Sequence, residues 1–222
     1  AFTHCKDVAV AVINAGAFAV LGEAMHTPDE IAADIRWIRE RINGKPYGID
    51  LVLPASSPLE GGLEDLESKI PASHRDFAAG IAKRHDVPEP KGPVALHRWG
   101  GLNQQMARAQ LDVVLDERVP VFTSGLGNPA FILEAAHARG IKVFGLIGKK
   151  RQAEREIEAG VDAIIAQGYD AAGHTGTIGT FSIVPEVVAI AGSTPVIAAG
   201  GVTTGRHLAA ALCLGAVGVW TG

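Results

Sequence analysis

The sequence predicts an α/β fold, a (β/α)8 TIM barrel that lacks its first strand and last helix in this chain. Three observations carry that reading. Short apolar runs recur along the chain and read as fully buried parallel strands. A glycine that closes a helix is followed at once by such a run at Gly16, Gly140, Gly160 and Gly215. Seven strands can be read, one short of a closed barrel, and the chain opens on a helix and closes on a strand. A doubly wound open sheet is the competing fold. It would want a Gly-x-Gly-x-x-Gly turn after its first strand, and Gly125-Leu-Gly127 comes too late to serve.

The elements follow in order. Residues 6–15 form a helix closed by Gly16, and 17–21 a short buried strand. Thr27-Pro-Asp-Glu30 is a capping box with proline at the first helical position. Behind it Ile31, Ile35, Ile38 and Ile42 share one helical stripe, and Gly44 and Pro46 close the helix. Strand 47–53 is next, stopped by Pro54, which cannot donate to a ladder. Residues 54–101 break the rhythm with Ser-Ser-Pro, paired glycines, an acidic cluster (Glu60, Glu64, Asp65, Glu67) and a proline-rich run over 88–93. This insertion reads either as a surface excursion with a helix or two, or as a lid reaching the site through His97, Arg98 and Trp99.

From Pro120 the rhythm returns. Strand 121–124 leads to Asn128-Pro129, an N-cap and N1 pair, and a helix ending at Gly140. Strand 141–147 leads to a charged helix ending at Gly160. Strand 161–166 leads to a glycine-rich loop and a helix begun around Pro185. Strand 195–199 leads to a helix from about Gly205 to Gly215, and the last strand starts at Gly218. Residues 1–222 are read as a single barrel domain. With no initiator Met and a closing strand, they are also read as a piece of a longer protein.

Composition narrows the partners. A chain of 222 residues, 47% apolar and 20% charged, is an ordinary globular domain rather than a disordered one. A net charge of −4 gives no basic field for nucleic acid. The apolar run 8–21 is interrupted by Asn14 and Gly16, is too short to span a bilayer and lacks the basic start of a signal peptide, so no membrane partner is expected. Cys5 and Cys213 lie at opposite ends with no metal-ligand spacing, which suits a reduced, cytoplasmic setting. Oligomerisation is left open.

The chemistry concentrates in residues 167–182, Gln-Gly-Tyr-Asp-Ala-Ala-Gly-His-Thr-Gly-Thr-Ile-Gly-Thr-Phe-Ser, at the end of a buried strand. Here His174 stands among glycines that let the backbone turn sharply and leave the imidazole unscreened. Histidine is the side chain suited to proton transfer near neutral pH, which makes His174 the catalytic candidate. His26, His74, His85, His137 and His207 lie in helical or surface contexts and are read as structural. No Ser-His-Asp order, His/Cys metal cluster or nucleophile elbow is visible, and no metal is expected.

Two more glycine-rich strand ends follow, Pro195-Val-Ile-Ala-Ala-Gly-Gly201 and Gly218-Val-Trp-Thr-Gly222. In such barrels phosphate commonly sits on the loops after the last two strands. Gly200-Gly201 and Thr221-Gly222 offer backbone N–H groups there, and a helix beginning near Thr204-Gly205 points its positive end at the same spot. Glycine pairs also serve close helix–strand packing, so each pair alone decides little. A lone histidine beside a phosphate site suggests an enzyme whose hard chemistry belongs to its cofactor.

Taken together, Gln-Gly-x-x-Ala-x-Gly-His, Pro-Val-Ile-Ala-Ala-Gly-Gly and Gly-x-Trp-Thr-Gly at these spacings resemble the nitronate monooxygenase family (formerly 2-nitropropane dioxygenases). These are FMN-dependent (β/α)8 enzymes related to the FMN-dependent enoyl-ACP reductases. The resemblance covers essentially the whole chain and is strongest over 161–222. It implies FMN as cofactor, a small-molecule substrate and O2 as acceptor. His174 matches the family's catalytic histidine, which in nitroalkane-oxidising members takes the α-proton. Gln167 matches a flavin-contacting glutamine. Ala172 and Gly173 fall in the loop beside the cofactor. Gly201, Trp220, Thr221 and Gly222 match the phosphate-binding backbone, and Gly200 is read as cofactor-binding beside them. Asp50 stands where the family usually has a flavin-contacting Asn.

The departures are specific. Asp50 replaces an amide donor by an acceptor-only carboxylate unless it is protonated. Ala172 stands where Gly is usual, Asp170 is one methylene shorter than the common Glu, and the family's first-strand loop is absent. The function expected is FMN-dependent oxidation of nitronates or nitroalkanes with O2. One alternative keeps fold, FMN and His174 in a reductase or dehydrogenase of an acyl thioester (a CoA or ACP ester). Another is a non-catalytic flavin-binding or structural protein. A metal-dependent aldolase is disfavoured by the lack of clustered carboxylates at successive strand ends.

Overall fold

The computed structural model describes residues 5–53, 68–89, 104–125 and 127–222. Within them the elements are α1 (Lys6–Asn14), β1 (Val20–Gly22), α2 (Pro28–Arg39), β2 (Gly48–Val52), α3 (Ala72–Arg84), α4 (Gln104–Asp116), β3 (Val121–Gly125), a 3-10 turn (Pro129–Phe131), α5 (Leu133–His137), β4 (Lys142–Ile147), α6 (Lys150–Ala159), β5 (Ala163–Gln167), α7 (Thr180–Val188), β6 (Val196–Ala199), α8 (Gly205–Cys213) and β7 (Gly218–Trp220). The strands form one parallel sheet in sequence order, β1 to β7. β1 and β7 are not paired, yet residues of both line a single cavity, so the sheet curls into part of a TIM barrel.

Alternation along the strands decides the two faces. Ile49, Leu51, Phe122, Val143, Ile164 and Ala198 are fully buried on the outer face, beneath the helices. Asp50, Val52, Gly125, Leu146, Ile165 and Gln167 face the inside and line the cavity. Removing each of the larger outer side chains from water contributes about 1.5–3 kcal/mol, so this shell holds the strands and leaves the inner face free for chemistry.

The helices form as their local signals dictate. At α2 the Thr27 hydroxyl accepts the Glu30 N–H, and the Glu30 carboxylate accepts the Thr27 N–H at 2.9 Å. The stripe Ile31, Ile35, Ile38 and Ile42 is almost wholly excluded from solvent. The four helix-closing glycines, Gly16, Gly140, Gly160 and Gly215, all take positive φ, as expected of C′ positions.

Among the boundaries that differ from the sequence reading, three bear on the architecture. The first strand runs over Val20–Gly22 rather than 17–21. The helix expected between Asn128 and Gly140 is two short pieces. Asn128 does cap it, accepting from the Ala130 N–H, but the first turn closes three residues on, from the Ile132 N–H to the Pro129 carbonyl. The third correction is α7, which begins at Thr180 with Pro185 inside it rather than starting at Pro185. Its buried face of Ile183, Val184 and Val187 packs on β5 and β6 and outweighs the hydrogen bond that proline removes.

The lid reading of 54–101 falls largely outside the described residues, and His97, Arg98 and Trp99 lie wholly outside them. The described part, 68–89, contains α3, which buries no residue, and none of it lines the cavity. No helix among the described residues is long and apolar enough to cross a membrane.

Candidate functional site

The C-terminal ends of all seven strands open into one cavity of ≈ 640 Å³. That size lies within the roughly 300–1,000 Å³ usual for cofactor and small-molecule sites. Every candidate catalytic or cofactor-binding residue assigned from the family resemblance lines it. Asp50 enters from β2 and Gln167 from the end of β5; Ala172, Gly173 and His174 belong to the loop after β5. Gly200 and Gly201 follow β6, and Trp220, Thr221 and Gly222 end the chain.

The loop carrying His174 is pinned at its base. The Asp170 carboxylate accepts the Thr180 N–H at 2.7 Å and so caps α7, while the Tyr169 N–H donates to the Ile178 carbonyl. Thr180 then donates its hydroxyl to the carbonyls of Ala199 and Gly200, at 3.2 and 3.0 Å, tying this loop to the end of β6. The first-turn N–H of α7 holds the Asp170 carboxylate below the usual aspartate range. On the other side Gly176 lies so close to Gly148, after β4, that a Cβ on Gly176 would overlap the Gly148 carbonyl oxygen. Between these anchors His174 is exposed and makes no hydrogen bond among the described residues. Its imidazole is therefore available to a ligand.

His174 borders two spaces. Together with Leu146 and Gln167 it also lines an adjoining chamber of ≈ 510 Å³, walled by Asn128, Gln152, Thr175 and Glu156. A group bound in the large cavity and a second molecule in the smaller one would meet at the imidazole.

The glycine pair after β6 has two reasons to be glycine. Gly200 and Gly201 take φ of 104° and 69°. A Cβ on Gly200 would meet the Thr180 hydroxyl at 2.7 Å, and one on Gly201 would meet the Asp170 Cβ at 3.0 Å. Close packing of the two loops thus operates alongside ligand access. Thr204 caps α8, accepting the His207 N–H, and His207 Nδ1 accepts the Thr203 N–H at 3.2 Å, so that amide is already engaged. No Lys or Arg is among the described residues lining the cavity; the donors they offer a phosphate there are backbone amides and the Thr203 and Thr221 hydroxyls.

Asp50 sits on the inner face of β2. The Thr123 hydroxyl of β3 donates to its Oδ1 at 2.7 Å. Burial pushes the Asp50 carboxyl up to about 6, with the Thr123 hydrogen bond opposing that rise.

Two buried groups went unrecognised in the sequence. His26, read there as a surface or helical residue, is buried: its Nδ1 contacts the Glu23 carboxylate and lies 3.6 Å from Asp34, which Lys6 pairs at 2.5 Å. The Glu23, His26 and Asp34 ligand atoms lie within 4.8 Å of one another, a spacing a metal could use, but the Lys6 ammonium already neutralises Asp34. The cluster ties α1, α2 and the loop after β1 together, and Gln110 of α4 adds hydrogen bonds to the Ala24 and His26 carbonyls. The second group is Glu156 of α6. Its Oε2 is buried without a partner, in a notch that exists because residue 145 is glycine. Burial pushes this carboxyl up to about 8. Both looked like ordinary surface charge in the sequence; only helix periodicity against the sheet could have flagged Glu156.

The cavity fits FMN by observations of this chain alone. Its volume is sufficient, two consecutive positive-φ glycines bring backbone to its wall, and a half-buried carboxyl with one oxygen unpaired among the described residues faces it. Gly200, Gly201, Thr221 and Gly222 would hold the phosphate end, and Gln167 and Asp50 the ring system.

Comparison with known proteins agrees. The family model described as nitronate monooxygenase matches residues 3–222. A Mycobacterium tuberculosis protein, Rv1533, named for a monooxygenase activity, is 41% identical over 229 residues, covering 100% of this chain and 61% of that protein. A Staphylococcus aureus protein named for nitronate monooxygenase activity is 28% identical, covering 95% and 58%. The chain thus spans about three-fifths of the length of these curated relatives. Among solved structures, nitroalkane oxidase from Streptomyces ansochromogenes superposes with a TM-score of 0.77 at 28% identity, covering 98% of this chain and 60% of that one. FabK from Thermotoga maritima gives 0.71 at 27%, covering 99% and 55%. The chain belongs to the nitronate monooxygenase family of FMN-dependent oxidoreductases.

Proposed function

We propose that this member of the nitronate monooxygenase family forms the FMN- and substrate-facing part of an enzyme that oxidises nitronates and nitroalkanes with O2. The observation that carries the reading is His174: an imidazole with no hydrogen-bond partner among the described residues, on an anchored loop bordering both the cofactor-sized cavity and the smaller chamber. Bound in the larger space, FMN supplies acceptance of electrons from the substrate and their delivery to O2.

The chain's own residues supply position and proton handling. The backbone at Gly200, Gly201, Thr221 and Gly222 holds the phosphate. Gln167 and Asp50 orient the ring system from the strand ends. His174 takes the α-proton from a neutral nitroalkane at a ring nitrogen, leaving the nitronate to be oxidised; a nitronate supplied as such needs no such step. Free, exposed Cys5 and Cys213 are compatible with the cytoplasmic setting we assign.

A second reading is supported by the likeness to FabK and by the adjoining chamber: the same site acting as a reductase or dehydrogenase on an acyl thioester. The visible spectrum of the purified protein, before and after anaerobic additions, decides between them. Flavin bands reduced by a nitronate and indifferent to NADPH are expected. Rapid bleaching by NADPH would favour the reductase, and no flavin bands at all would overturn both.

A further inference from the structure

We propose that Asp50 binds the cofactor as a neutral acid, donating a hydrogen bond from Oδ2 to an acceptor atom of the flavin ring system; this rests on the FMN reading above. Oδ1 is already committed, because it accepts the Thr123 hydroxyl at 2.7 Å. Asp50 lines the cavity, and Oδ2 has no hydrogen-bond partner among the described residues. Asp50 is the one polar side chain of β2, so Oδ2 is the side-chain oxygen that strand leaves for a ligand.

Among the described residues, none packed against Asp50 carries a counter-charge for its ionised form. From β1 its register partner is Gly22, and from β3 it meets Thr123 and Gly125. Glu23 donates its backbone N–H to the Asp50 carbonyl while its side chain turns to His26. Across the cavity the other titratable side chains among the described lining residues are Asp170 and His174, and Asp170 is engaged with Thr180. No Lys or Arg is among the described lining residues. A ligand that fills the cavity removes the remaining water, so an ionised carboxylate would be left buried and unpaired. Taking up a proton avoids that cost and turns Oδ2 from an acceptor into a donor. Burial has already moved this carboxyl to about 6 before any ligand arrives.

The linkage follows directly. When the bound state holds a proton that the free state has lost, affinity falls as pH rises above the free-state value, about tenfold per pH unit. The test is the dissociation constant of FMN for apoprotein, read by fluorescence quenching from about pH 5.5 to about pH 8. Riboflavin repeats it, because it lacks the phosphate that itself titrates in this range. The wild type is expected to bind at least about tenfold more weakly at the alkaline end. Asp50→Asn, a permanent donor, is expected to remove that dependence. Thr123→Val, which deletes the bond favouring the ionised form, should move the midpoint to higher pH and checks the inference if Asp50→Asn folds poorly. Flat affinity in the wild type, or an Asp50→Asn profile that follows it, would overturn the inference while leaving FMN in the cavity. No binding of FMN at any pH would overturn the cofactor reading and this inference with it.

Discussion

The Asp170 carboxylate and the Thr180 backbone, ten residues apart, close the loop that carries His174: Oδ2 accepts the Thr180 N–H at 2.7 Å. One bond caps α7, and through the Thr180 hydroxyl it also fixes the β6 end where Gly200 turns. Because Asp170 is held below its ordinary range, its contribution is present above the unfolded value of about 4 and is lost as pH falls through the lower folded value. Asp170→Ala is expected to raise hydrogen exchange at Thr180 and lower turnover while leaving α2 and its cap unchanged. Asp170→Asn should remove the acid-side loss of protection at that amide. Unchanged exchange at Thr180 in Asp170→Ala would show that the loop is held by other contacts.

The close approach of Gly176 and Gly148 predicts a positional effect on catalysis. Gly176→Ala cannot be accommodated without moving the loop away from the Gly148 carbonyl. A displacement of about 1 Å at a reacting group costs on the order of 100-fold in rate. Turnover is therefore expected to fall by about that factor with FMN content retained, since the cavity wall at Gly200 and Gly201 is untouched. Measuring kcat and the flavin-to-protein ratio on the same sample checks it.

Gly145 and Glu156 form a size-matched pair across β4 and α6. Adding a methyl at Gly145 overlaps the Glu156 carboxyl, and overpacking of this kind costs about 1–3 kcal/mol. Gly145→Ala is expected to destabilise the protein by that order in the parent sequence and by much less in a Glu156→Ala background. A double-mutant cycle by chemical denaturation reads the coupling. Additive effects would contradict the contact.

Glu156 also predicts the direction of stability with pH. Its folded value, about 8, lies above the ordinary value of 4.5, so the folded state binds the proton more tightly. Stability from this group is full below about pH 4.5 and declines as pH rises toward 8. Glu23, pushed up to about 7 chiefly by burial, adds a decline over a narrower window. Glu156→Gln should flatten the upper part of that slope, gaining about 1–3 kcal/mol at the alkaline end. Thermal denaturation across the range, on both proteins, measures it.

Much of the barrel could be read from the chain because its signals are local. Thr27 and Glu30 meet within one helical turn, the isoleucine stripe repeats at helical spacing, and each helix-closing glycine sits beside the strand it precedes. The cavity was legible for a related reason. In a parallel barrel all strands end on one side, so residues at successive strand ends must converge, as Asp50, Gln167 and Gly201 do. What stayed hidden depends on distant partners. Lys6 reaches Asp34 across 28 positions, and Glu156 is buried only because residue 145 lacks a side chain. The start of α7 is hidden in the sequence because its cap comes from Asp170, ten residues upstream rather than at the helix end. For Gly201 the sequence offers phosphate binding or close packing without naming the packing partner, which is the Asp170 loop, with a positive φ as a further constraint. A bulky substitution there would disturb the His174 loop along with the cofactor.

The most direct test of the account compares a neutral nitroalkane with its pre-formed nitronate in wild type and His174→Ala, with flavin content measured in both. If His174 takes the α-proton beside bound FMN, the variant keeps its flavin. It should lose about 100-fold or more in kcat/KM on the nitroalkane and far less on the nitronate. Equal losses on the two substrates, or none on either, would contradict the proton-transfer role on which the proposed mechanism rests.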